Sequence, residues 1–331
     1  MIASVAFRRF KALRHTSLEL VPFNLVVGPN SSGKTSLIEA LLRLRALAQL
    51  PPLDAAVEFG AKSGPEIRFA FNAPHDAIHV RLGSATGPLC DELHVAPADA
   101  PGWPALRRQL EGIRHFNFEP ERMGAPVPRA AGAELAEDGA NLAAVLAHLQ
   151  TEAPQAFAEL ETEAFRLMPQ FTGIELRDEP DAAVSLALVL GAGEGVVAAD
   201  DLSQGVRYLL GLLALSFAPS PPSVVCIEEV DRGMHPRLLR EVRDTLYRLS
   251  YPASAGVTRA PVQVIATTHS PYMIDLFRDH PEEVAITQRT GREARFTRLV
   301  DRADLAVLLQ DGTLGDLWFS GILGGVPEDE F

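Results

Sequence analysis

The sequence predicts an α/β fold with a mixed, largely parallel central sheet covered by helices, and three observations predict it. The first is the apolar run Phe23-Asn24-Leu25-Val26-Val27, which leads into Gly28-Pro29-Asn30-Ser31-Ser32-Gly33-Lys34-Thr35 and then into helical spacing over residues 36–42. The second is Val224-Val225-Cys226-Ile227, continuously apolar and ending in Glu228-Glu229. The third is a further apolar run over residues 262–268 that ends at His269. Strands apolar on both faces, alternating with helical patterns, belong to parallel sheets buried between helices.

The elements follow in chain order. Residues 2–10 and 17–22 alternate like two strands of a hairpin. The helix after residue 35 runs to about Leu50 and stops at Pro51-Pro52. Residues 66–71 and 78–82 read as strands, and the Pro-, Gly- and Ala-rich stretches 96–104 and 119–132 as loops. Helical spacing returns over 139–150 and 153–168, and strand character over 171–177 and 184–190. Residues 202–217 predict a helix, as does the stretch from Pro236 to about Leu249, with proline in its first turn. Asp301-Arg302-Ala303-Asp304 reads as a helix N-terminus with favourable acids.

Composition narrows the class. With 331 residues, 47% hydrophobic and 22% charged, the chain reads as a soluble protein of one large domain or two lobes. Nothing near the roughly 18 uncharged apolar residues of a membrane span appears, and the N-terminus has no secretory apolar core. Cys90 and Cys226 make neither a disulfide framework nor a metal cluster, and Cys226 reads as core. These features predict a cytoplasmic protein. The net charge of −13 argues against binding nucleic acid by bulk attraction. Arg8, Arg9, Lys11 and Arg14, and later Arg107, Arg108, Arg114, Arg122 and Arg129, read first as solvated surface. One or two of them are candidates to face a nucleotide or a DNA backbone.

The segment from Gly28 to Thr35 fits G-x-x-x-x-G-K-[ST] at every fixed position. Such a loop curls around a phosphate while backbone N–H groups and the positive helix end point inward. Asn30, Ser31, Ser32, Gly33, Lys34, Thr35 and Ser36 form the candidate nucleotide-binding set, with Lys34 on the β- and γ-phosphates and Thr35 on Mg²⁺. The alternative is a chance Gly-rich turn, which the correct flanks on both sides disfavour.

Glu228 and Glu229 end a buried strand, at the sheet edge where a parallel sheet gathers its loops. Glu228 is the candidate metal carboxylate and Glu229 the candidate catalytic one. Their mutual repulsion can raise one pKa toward that of a useful base. Alone, the pair would read as two solvated acids. Leu202-Ser203-Gln204-Gly205 opens an apolar helix, and alone Ser203 would be a cap. His269, after Thr267-Thr268, would alone be a structural hydrogen-bond partner.

Phosphate loop, Leu-Ser-x-Gly, double acid and post-strand histidine, in that order, resemble an ABC-type ATPase head of the SMC and RecF kind. Residues 2–20, with Arg9-Phe10-Lys11, fit that group. Ile227-Glu228-Glu229-Val230-Asp231-Arg232-Gly233-Met234-His235-Pro236 is similar to the I-E-E-P-E-x-G-L-H-P of stand-alone AAA family ATPases that accompany antiphage and overcoming-lysogenization-defect systems. Asp138-Gly139-Ala140-Asn141-Leu142, Thr268-His269-Ser270-Pro271 and Leu314-Gly315-Asp316-Leu317-Trp318-Phe319-Ser320-Gly321 also resemble that family. The resemblance covers nearly the whole chain.

The resemblance implies a P-loop NTPase fold with an N-terminal antiparallel β region and a small helical insert. It implies one ATPase domain over 1–331, its nucleotide-binding core formed by 1–95 with 195–331 and its insert by about 96–194. It implies ATP and Mg²⁺ as cofactors and a homodimer through shared ATP sites. Ser203 and Gly205 would contact the γ-phosphate of a partner subunit, Glu229 would be the catalytic carboxylate, His269 the switch histidine, and Asp231 would lie in a loop crossing the dimer interface. Glu228 stands where aspartate is commoner, Val230-Asp231 replace Pro-Glu, and no glutamine is placed to support Mg²⁺.

About 170 residues separate the two halves of the motif set, without sustained heptads, so the expected protein is a head without coiled-coil arms. The 62 residues after His269 suit the last elements of the same ATPase rather than a nuclease domain. The leading expectation is an ATPase that dimerises around two Mg-ATP and drives a separately encoded effector protein or DNA, in phage defence or genome maintenance. The second is a nucleotide-gated scaffold or sensor with negligible hydrolysis. A transporter ATPase subunit ranks last, because the Leu-Ser-Gly-Gly-Gln signature is missing.

Overall fold

The computed structural model describes residues 1–52, 64–84, 87, 90–132 and 134–324. The elements, in order, are β1 (Ile2–Phe10), β2 (Leu13–Glu19), β3 (Phe23–Val27), α1 (Lys34–Ala48), β4 (Glu66–Phe71), β5 (His79–Gly83), β6 (Glu92–Ala96), α2 (Trp103–Glu111) and β7 (Ile113–Phe116). Next come α3 (Pro120–Met123), β8 (Val127–Pro128), α4 (Leu142–Glu152), α5 (Pro154–Leu167), β9 (Phe171–Glu179), β10 (Ala183–Leu190), β11 (Val196–Ala198) and α6 (Gln204–Ser216). Last are β12 (Val224–Ile227), α7 (Leu239–Ser250), β13 (Gln263–Thr268), α8 (Pro271–Asp275), β14 (Val284–Thr290), β15 (Glu293–Arg298), α9 (Leu305–Asp311) and α10 (Leu314–Phe319).

The chain divides into two compact units, one of residues 1–115, 222–229 and 261–331, the other of 116–221 and 230–260. The first unit contains the sheet with strand order β2-β1-β4-β5-β6, in which every pairing is antiparallel. It also contains most of a six-stranded sheet of order β15-β14-β3-β13-β12-β7. In that sheet β12, β13, β3 and β14 run parallel, and β15 closes one edge antiparallel. Every residue of β3, β12 and β13 is buried, as expected for parallel strands covered on both faces.

One continuous core joins the inner face of the antiparallel sheet (Val5, Phe7, Leu18) to α1 (Leu37, Leu41, Leu44) and to the parallel sheet (Val26, Cys226, Ile265). Burying each such large side chain contributes about 1.5–3 kcal/mol. That anchorage fixes the first turn of α1 against the end of β3. The second unit packs α4, α5, α6 and α7 with a small sheet in which β10 pairs β8, β9 and β11. Helix α6 is buried from Arg207 to Ser216, and its Tyr208 meets Phe118 edge-on with centroids 5.1 Å apart.

Several boundaries differ from the sequence expectation. The second hairpin strand is Leu13–Glu19, not 17–22, because Phe10 pairs directly with Leu13 across a two-residue turn at Lys11, whose φ is 52°. Part of 96–104 belongs to α2, whose one proline, Pro104, sits in its first turn where no N–H is required. The stretch 119–132 contains the short helix α3 and the two residues of β8. Pro236–Leu238 is a 3₁₀ turn, and the α-helix begins at Leu239. Asp304 holds the position before the first turn of α9, but its carboxylate accepts from Arg302 rather than from the helix N–H groups. Among the described residues no helix is long and apolar enough to cross a membrane.

Candidate nucleotide site

The loop between β3 and α1 is shaped by steric necessity. A Cβ on Gly28 would lie 1.9 Å from the Thr287 hydroxyl oxygen and 2.6 Å from its carbonyl, so only glycine lets β3 pass β14 at this point. Ser31 and Gly33 adopt left-handed φ values of 60° and 105°, which turn the chain back toward the helix axis. The buried Ser32 hydroxyl hydrogen-bonds the Thr287 hydroxyl and holds the loop to β14. The Leu37 N–H bonds the Gly33 carbonyl at 3.0 Å, and the N–H groups before it have no intrahelical partner to satisfy them. They form the positive end of α1, an anion site by construction.

Lys34 opens α1, and its ammonium donates to the carbonyls of Gly28 and Pro29, each at 2.8 Å. Desolvation pushes its pKa down to about 8, against the opposing pull of Glu228 and Glu229. Because β3, β13 and β12 are parallel, their carboxyl ends lie at one edge. Beside the loop that edge carries Thr267 and Thr268 at the end of β13 with His269 just after it, and Glu228 and Glu229 after β12.

Glu228 Oε2 accepts from the Thr35 hydroxyl at 3.4 Å, and its Oε1 lies 3.1 Å from His115 Nε2 on β7. The His115 hydrogen bond, chief among several influences, holds the Glu228 carboxyl below the usual carboxylate range despite its burial. Of the two adjacent acids, Glu228 therefore moves opposite to the upward shift that mutual repulsion alone would produce. Glu229 sits at φ 48°, an uncommon conformation for a residue with a side chain, and its N–H donates to Thr267 Oγ1 at 3.0 Å.

These groups line one open cavity of about 450 Å³. Asn30, Ser31, Gly33, Lys34, Thr35, Ser36, Glu228, Glu229 and His269 all reach it, whereas the Ser32 side chain is committed to Thr287. Lys11, Ala12, Thr267 and Arg289 complete the lining. Of the N-terminal basic cluster it is Lys11, ion-paired with Glu39, that faces the cavity. The sequence reading missed His115, Thr267 as a partner of Glu229, and Arg289. Thr267 lay within an identified strand, in a run with no alternation to single it out. His115 lay on a four-residue strand with no pattern of its own.

Ser203 and Gly205 belong to the second unit. The Ser203 hydroxyl accepts from the Val206 N–H at 3.3 Å, a helix N-cap. A Cβ on Gly205 would come within 2.8 Å of the Gly233 carbonyl, so glycine lets the segment after Glu229 lie against the start of α6. Buried Arg207 donates to the carbonyls of Ala199 and Asp200, each at 3.3 Å, and fixes the approach to Ser203. Among the described residues no group of three or more His, Cys, Asp or Glu is placed to hold a metal.

Comparison with solved structures finds SMC head domains. An SmcHead bound to the C-terminal winged-helix domain of ScpA is 15% identical, with a TM-score of 0.57 over 89% of this chain and 96% of that one. The SMC head domain of Thermotoga maritima is 13% identical, with a TM-score of 0.51 over 90% and 98%. The Pyrococcus furiosus Smc head with an extended coiled coil, bound to the C-terminal domain of ScpA, is 13% identical, with a TM-score of 0.54 over 94% and 98%. At such identities the likeness is one of fold. No curated protein matches the chain. A family described as "AAA domain, putative AbiEii toxin, Type IV TA system" matches residues 23–275, and the chain, which has the P-loop NTPase fold shared with SMC heads, belongs to it.

Proposed function

We propose that the chain is an ATP-binding and ATP-hydrolysing head, one two-lobed ATPase domain, that dimerises around two Mg-ATP. It couples that closure to a separately encoded effector protein or to DNA, in phage defence or genome maintenance, in the cytoplasm. The observation that carries this reading is the convergence of Lys34, Thr35, Glu228, Glu229 and His269 on one cavity. ATP would meet the N–H groups at the start of α1, and Lys34 would move from the carbonyls of Gly28 and Pro29 to the β- and γ-phosphates.

The Thr35 hydroxyl and the Glu228 carboxylate, 3.4 Å apart, are hard oxygen donors that fit Mg²⁺. When bound, that ion would neutralise charge developing on the phosphates. Glu229 would orient the attacking water and accept its proton, held in place by its backbone bond to Thr267. His269 would hydrogen-bond the γ-phosphate. Ser203 and Gly205, at the N-terminus of the 13-residue helix α6, would meet the γ-phosphate of a second subunit in a two-fold sandwich. The SMC heads solved with ScpA domains are a precedent for a protein partner.

Phosphate release, followed with and without DNA, tests the reading against a scaffold that only binds nucleotide. Turnover abolished by Glu229→Gln, with ATP binding kept, is the expected result. Wild-type protein that binds ATP and releases no phosphate under any of these conditions would favour the scaffold, whose support is the longer Glu228 in place of aspartate.

A further inference from the structure

His115 lies beside the candidate Mg²⁺ position without any role assigned by the motifs. It sits on β7, the edge strand next to β12, with its side chain only 10% exposed. Its Nε2 is 3.1 Å from Glu228 Oε1, while the other carboxylate oxygen of Glu228 faces the Thr35 hydroxyl at 3.4 Å. The carboxylate is thus strung between an imidazole and a hydroxyl. An ionised carboxylate only accepts, so the imidazole carries its proton on Nε2 in this contact.

Glutamate has one more rotatable bond than aspartate, and a glutamate ligand reaches a metal through more rotamers. Fixing one oxygen by a hydrogen bond removes that freedom and aims the other oxygen at Thr35. Carboxylate ligands are commonly oriented in this way by outer partners. A purely structural role for His115, fastening β7 to β12, is redundant. The far end of that pairing is already held by the Ser223 N–H on the Gly112 carbonyl at 3.0 Å and by the Ser223 hydroxyl on the Gln109 carbonyl.

We propose that His115 is the positioning residue of the Mg²⁺ site: it holds the Glu228 carboxylate so that its second oxygen and the Thr35 hydroxyl form a ready pair of metal ligands. The inference rests on the nucleotide-binding reading above. It assigns to a histidine on an edge strand the metal-supporting task for which the sequence offers no glutamine.

The test separates the two imidazole nitrogens. Glutamine places an amide near the position of Nε2, and asparagine places one near Nδ1, out of reach of Glu228. ATP affinity is measured by calorimetry for wild type, His115→Gln and His115→Asn, in EDTA and across a Mg²⁺ titration, with melting curves to check folding. In EDTA all three bind alike, because the loop is intact. In the titration His115→Asn needs roughly 10–100-fold more Mg²⁺ to reach half of its gain in affinity, and His115→Gln stays near wild type. In a Glu228→Gln background, His115→Asn adds no further loss. His115→Asn with wild-type Mg²⁺ dependence, or His115→Gln as impaired as His115→Asn, overturns the proposal while leaving the nucleotide reading standing. Wild-type protein that binds no ATP in either condition overturns both. If His115→Asn does not fold, His115→Ala replaces it in the same titration with the same expected shift.

Discussion

Raising the pH through 8 should weaken ATP binding, because Lys34 is charged in the complex and loses its charge in the free protein. Lys34 is 7% exposed, its ammonium donates to the carbonyls of Gly28 and Pro29, and burial lowers its pKa from 10.5 to about 8. A bound triphosphate restores the charge. The dissociation constant then doubles by about pH 8, rises about elevenfold by pH 9, and costs about 1.4 kcal/mol for each further unit until the complex itself titrates. The terminal phosphate of ATP is already ionised in this range and adds no slope of its own.

The effect on stability has the opposite sign to the effect on affinity. The folded-state pKa of Lys34 lies below its unfolded value, so the unfolded chain binds more protons between the two. This group's destabilising effect is therefore fully present below about pH 8 and is relieved as the pH climbs toward 10.5. Calorimetry at pH 7, 8 and 9, in buffers of different ionisation enthalpy, reads both the affinity and the proton taken up, which should approach one per site at the highest pH. Lys34→Arg, always charged, should show no such slope. Equal wild-type affinity across this range with no proton uptake would refute the argument that a desolvated Lys34 meets the phosphates.

Glu229→Gln should keep ATP affinity, lose turnover and accumulate as an ATP-bound dimer by light scattering; a monomer at saturating ATP would count against the sandwich. Ser203→Arg and Lys34→Ala subunits, each inactive alone, should regain partial activity when mixed, and verified heterodimers without activity would sink the shared site. Gly28→Ala, whose methyl group would collide with both Thr287 oxygens, should lose about 1–3 kcal/mol in denaturant titration and most of its ATP affinity.

The parts of this site legible in the sequence are those whose chemistry sits next to its own secondary-structure signal. The phosphate loop lies between an unbroken apolar strand and a helix, and Glu228, Glu229 and His269 each follow an apolar strand. The illegible parts depend on which strands become neighbours. His115 meets Glu228 across 113 residues of sequence, because β7 takes the edge position next to β12, and no local pattern encodes that choice. The start of α2 was hidden by Pro97, Pro101 and Pro104, residues that usually mark loops, although Pro104 fits the helix's first turn. The hairpin register was misread because Arg14 and His15 point to solvent and broke the apparent alternation, although Leu13 is buried.

The chain passes between its two compact units four times, and two of those passages begin at His115 and Glu229. The first of these residues touches Glu228 and the second follows it directly. Glu229 makes its passage at φ 48°, an uncommon conformation for a residue with a side chain. The last residues of the first unit before the chain enters the second are thus a cavity-lining glutamate and the histidine that touches its neighbour.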